Sequence, residues 1–120
     1  MARLEMQLEL SKAAIADLPQ ALEQSALELN AQLCWPDPHN ASIALMLSKS
    51  NLLVRILVEL NSAGKCVLLC SSSEGMGNRA PLTTAVLEQL LASLKKQLPE
   101  LSLSYRSDLD GPIRKLSSST

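Results

Sequence analysis

The sequence predicts an α/β domain, or an α+β two-layer sandwich, with a four-stranded, mainly parallel sheet and three helices in the order β-α-β-α-β-α-β. Three observations carry this expectation. Segments near both ends alternate apolar and polar residues, two apolar runs lie in the middle, and capped stretches with helical character separate them. The chain has 120 residues, enough for one hydrophobic core. Residues 1–108 are expected to form that single domain, and 109–120 to be a mobile, Ser-rich C-terminal tail.

Leu4, Met6, Leu8 and Leu10 alternate with Arg3, Glu5, Gln7 and Glu9, which gives a first strand one apolar and one charged face. Asp17-Leu18-Pro19-Gln20 then reads as a helix start, with Asp17 as N-cap and Gln20 closing a capping box. Its stripe Leu18, Leu22, Ala26, Leu29 and Leu33 has helical steps. A helix that begins at Ser11 and is kinked by Pro19 is the alternative. Trp35-Pro36-Asp37-Pro38 follows as a rigid loop, because both prolines lack an amide proton.

Ala41 to Ser48 reads as a second strand, buried on both faces. Ser50 or Asn51 can cap a second helix running to about Ala63, with Gly64 as its left-handed C-cap. Leu52, Leu53, Val54, Ile56, Leu57, Val58 and Leu60 would surround it with apolar surface, leaving Arg55 and Glu59 as a polar seam. A strand also fits this run, but the caps at both ends favour a helix. Cys66 to Cys70 is a third, apolar strand. Pro81 opens a third helix with the stripe Val86, Leu87, Leu90, Leu91, Leu94 and Leu98, which Pro99 stops. Leu101, Leu103 and Tyr105 alternate with polar residues in a last strand.

A sheet in sequential order with right-handed crossovers would place all three helices on one face and leave apolar side chains bare on the other. The order 2-1-3-4, with a crevice beside the loops after strands one and three, is the second topology. Composition narrows the function. Leucine is the commonest residue, phenylalanine is absent, Trp35 and Tyr105 are the only aromatics, and the net charge is −1. Stacking and basic-patch recognition of nucleic acid are therefore disfavoured. No apolar run approaches the roughly 20 residues of a bilayer span, and acids near the N-terminus do not fit a secretory signal. A cytoplasmic protein with three reduced cysteines is expected.

Ser71, Ser72, Ser73, Gly75, Gly77, Asn78 and Arg79 lie in a strand-to-helix loop, where free amides, hydroxyls and a guanidinium suit an anion. Gly75, Gly77 and Ala80 match the spacing of a dinucleotide fingerprint. However, Ser71 to Glu74 intervene after the strand, Glu74 would repel a pyrophosphate, and the ribose-binding acid would fall near Glu100. Cys70 precedes Arg79 by too many residues for a compact phosphatase loop. Cys34, Asp37 and His39 lack a fourth ligand for structural zinc, so neither metal nor cofactor is expected.

The leading expectation is a noncatalytic protein-binding or assembly module. It would form a homodimer or engage a protein partner through the apolar surface of the second helix, Leu52, Leu53, Val54, Ile56, Leu57, Val58 and Leu60, or through the bare sheet face. A small anion- or phosphate-ligand-binding enzyme using the Ser71 to Arg79 loop, helped by Lys12, is the alternative. No residue is assigned to catalysis.

Overall fold

In the computed structural model, which describes residues 2–61, 64–75 and 80–107, the chain opens with the expected strand, β1 (Ala2–Glu9). Leu4, Met6 and Leu8 point into the core, while Arg3 and Glu9 are exposed on the opposite face. Helix α1 (Lys12–Leu29) starts earlier than Asp17 and contains Pro19 within its length. Ser11 is its N-cap and accepts a hydrogen bond from the Ala14 amide at 3.2 Å. Asn30, in the left-handed region at φ 57°, closes the helix.

The next four elements are strands joined directly to one another: β2 (Gln32–Asp37), β3 (Asn40–Leu47), β4 (Leu52–Leu60) and β5 (Lys65–Ser72). Helix α2 (Pro81–Gln97) and strand β6 (Ser102–Arg106) complete the chain. All pairings are antiparallel in a single six-stranded sheet of order β2-β3-β4-β5-β1-β6. Among the described residues two helices accompany it. The expected four-stranded, mainly parallel sheet with three helices is thereby overturned.

The reason lies in two segments. Residues 52–60, read as a capped helix, form the strand β4 in the middle of the β2 to β5 meander. Asn51 (φ 50°) and Gly64 (φ 84°) do adopt the left-handed backbone that a helix cap would require, but they adopt it in the turns flanking β4. Asn and Gly favour that conformation in hairpins and caps alike, so the caps did not discriminate. At Gly64 a Cβ would also come within 2.5 Å of the Leu10 carbonyl oxygen. The second segment is Trp35-Pro36-Asp37. It belongs to β2, because an edge strand has one row of amides with no partner and so tolerates proline. The Asp37 carboxylate fixes the following turn by accepting from the His39 amide at 2.8 Å and from the Asn40 side chain.

Both helices cover the same side of the sheet. Leu18 and Leu22 of α1 and Leu87, Leu90 and Leu94 of α2 join Leu4, Met6, Leu8, Ile43, Ile56 and Leu68 in one core. The helices also meet through polar groups. Ser25 and Ser93 hydroxyls lie 2.8 Å apart in a buried contact, and Ser93 donates to Glu28 at 2.9 Å. The segment 109–120, expected as a mobile tail, lies outside the described residues.

Candidate functional site: the open face of the sheet

With both helices on one side, the side chains that alternate to the other side form a face of their own. Cross-strand register lays it out in rows. One row contains Ala44, Arg55, Ser71 and Arg3. The next contains Ser42, Leu57, Leu69 and Glu5, and the third Asn40, Glu59, Val67 and Gln7. Met46 and Leu53 pair beyond the first row.

The middle of this face is apolar and accessible. Leu57 is 54% exposed there, and Met46, two rows away toward the β3–β4 turn, is 53% exposed, values far from those of the core. Leu53, Val67 and Leu69 are half-buried around them. A concavity of about 250 Å³ is lined by Pro36, Ser42, Leu57, Glu59, Val67 and Leu69 among others. Arg55 and Arg3 are exposed at one end of the rows, and Glu59 is half-buried at the other. Toward β6 the face closes: Glu5 and Tyr105 are 1% exposed, and the Gln7 side chain donates to the Glu5 carboxylate at 2.6 Å.

The residues expected to form an apolar helix surface divide between two sides. Leu52, Val54, Ile56 and Val58 are buried beneath the helices, whereas Leu53 and Leu57 point to the open face and Leu60 is half-buried at the strand end. A period of two explains the split, since successive strand residues face opposite ways. The continuous apolar surface of a helix is not formed. Ser42, Ala44 and Met46 were not singled out in the sequence, yet they supply the β3 part of the face. Their signal was the alternation Ser42, Ala44, Met46 against Leu53, Arg55, Leu57, Glu59, visible once residues 52–60 are placed in a strand.

The expected anion loop has a different internal order. Ser71 is on the open face, beside Arg55 and Arg3, while Ser72 turns inward and meets Thr83 Oγ1 at 2.7 Å. Ala80, the residue before α2, makes no side-chain cap. Glu74 supplies it from the loop: its carboxylate accepts from the Leu82 amide at 3.1 Å, the Thr83 amide at 2.8 Å and the Thr83 hydroxyl at 2.6 Å. Since Thr83 gives its proton to Glu74, Ser72 donates to Thr83. Burial alone would raise the Glu74 pKa, but these bonds outweigh it and hold the carboxyl below its ordinary value. The chain's own carboxylate thus holds the amides that an external anion would need. Gly75 is in open space, and Gly77, Asn78 and Arg79 lie outside the described residues.

Cys66 and Cys70 face the core, where burial pushes both thiols up to about 12, the wrong direction for a nucleophile. Cys34 is exposed, on the edge strand. Among the described residues no group of three or more His, Cys, Asp or Glu side chains is gathered as a metal site would be. Among the described residues, no helix is long and apolar enough to cross a membrane. No protein-family model and no curated protein matches the sequence.

Proposed function

We propose that this chain is a noncatalytic binding module whose working surface is the open face of the sheet. The observation that carries the reading is the exposure of Leu57 at the middle, and of Met46 toward the β3–β4 turn, of a sheet face whose other side is covered by helices. An apolar surface of this kind suits a protein partner, because Leu57 stands out from the sheet and the charged groups beside it, Arg55 and Glu59, lie one row to either side rather than converging on one point. Polar groups that converge on a reacting atom, as catalysis needs, are not part of this support: the carboxylate and hydroxyls nearest the α2 start are committed to one another.

An apolar fluorescent dye tests the reading, at a dilution where the protein is monomeric. The parent chain is expected to bind the dye, and the Leu57→Asp/Met46→Lys double variant to lose that binding with its thermal midpoint unchanged. Both side chains lie outside the core, so their replacement leaves the fold intact. A folded parent that binds no dye, or a double variant that binds it equally, would remove the basis for the proposal.

A further inference from the structure

We infer that the open face pairs with the same face of a second copy of this chain, about a two-fold axis that runs across the strands through the Leu57–Leu69 row. The inference rests on the open face being the working surface and names what covers it. Its basis is the order of residues along β4. Arg55, Leu57 and Glu59 are successive residues of the open face, one row apart, with the apolar residue between opposite charges.

A two-fold axis along the middle row reverses the order of rows in the partner. Leu57 and Leu69 then meet their own counterparts, Arg55 of each protomer faces the partner's Glu59, and the same contact recurs by symmetry. The neighbouring positions within β2 to β5 agree: Ser71 falls opposite the partner's Val67 and Ala44 opposite the partner's Asn40, while Glu5, which the same axis would set against its own counterpart, is buried beyond the edge of the contact. An axis running along β4 instead would set each Arg55 against the partner's Arg55, which is repulsive. Sheets joined this way would pack at about 10 Å with nearly aligned strands.

The area is sufficient for a reversible dimer. The accessible part of the face, β2 to β5, spans about 500 Å² per protomer and about 1,000 Å² for the pair, at the lower limit of specific interfaces. The net charge of −1 imposes little repulsion between copies. The burial of Glu5 and Tyr105 toward β6 confines the contact to this part of the sheet and places β4 within it.

Sedimentation equilibrium of the full chain, over micromolar to millimolar concentrations, tests the arrangement. The parent is expected to dimerise. Arg55→Glu and Glu59→Arg are each expected to weaken the dimer at least about tenfold, and Arg55→Glu/Glu59→Arg together to restore it, because the reversed pair is again complementary. Far-ultraviolet circular dichroism establishes that each variant is folded, and mixing the two single variants supplies a second route to rescue without the double variant. A parent that stays monomeric throughout overturns the inference; if that monomer binds the apolar dye, the binding-module reading stands with another protein as occupant. A dimer that Leu57→Asp dissociates but charge reversal does not rescue also overturns the two-fold arrangement while leaving the binding surface in place.

Discussion

Glu74 shows how a single side chain can reverse the meaning of a loop. In the sequence its charge counts against a bound phosphate; in the structure it occupies the position at the α2 start where a phosphate would be held. Its pKa is depressed in the folded state, so its stabilising contribution is complete above the ordinary glutamate value and is lost as pH falls through the lower, folded value. Glu74→Ala is expected to lower stability by about 1 kcal/mol at neutral pH, the usual worth of an N-cap. The difference from the parent should shrink as the pH falls below about 4, where free glutamate is protonated. Urea midpoints measured across that range check both the size and the sign.

At the scale of elements, proline had two outcomes that local pattern did not separate. Pro36, expected in a rigid loop, lies in edge strand β2, and Pro19, expected in the first turn of a helix, lies inside α1, as in the alternative helix that begins at Ser11. In the helix, the Pro19 nitrogen cannot donate to the Ile15 carbonyl one turn earlier. Pro19 is exposed, so no core contact offsets this loss. Pro19→Ala is accordingly expected to stabilise the protein by about 1–3 kcal/mol, read from the denaturation midpoint. A loss of stability would instead assign Pro19 the task of bending α1 onto the sheet. Helix α2 was more legible, because Val86, Leu87, Leu90, Leu94 and Leu98 recur with helical steps and are all buried. Strand β4 was not, since Leu53 and Leu57 add apolar residues on its open face and blur the alternation that marks a half-exposed strand.

Across the whole molecule, the one-sided arrangement of helices separates the cysteines chemically. Cys66 and Cys70 are sealed between sheet and helices, with thiols near 12, while Cys34 sits on the outer strand. Alkylation of the native protein at neutral pH is expected to modify Cys34 alone, and Cys66 and Cys70 only after unfolding, as mass spectrometry of the intact and digested chain would record.

The sequence by itself determined the alternating first strand, the presence of a last strand, the α2 stripe, the aliphatic core and an excess of apolar surface over what one core needs; the alternation expected in the last strand is broken by the register shift against Gln7 and Leu8, which leaves Leu103 exposed and buries both Tyr105 and Arg106. Only the tertiary structure decided that residues 52–60 are a strand, that its neighbours are antiparallel, and that Leu53 and Leu57 are outside while Val54, Ile56 and Val58 are inside. The physical reason is that an apolar run flanked by Asn and Gly satisfies both helix caps and hairpin turns. The choice falls to the backbone amides and carbonyls of 52–60, which find their partners across the sheet in β3 and β5.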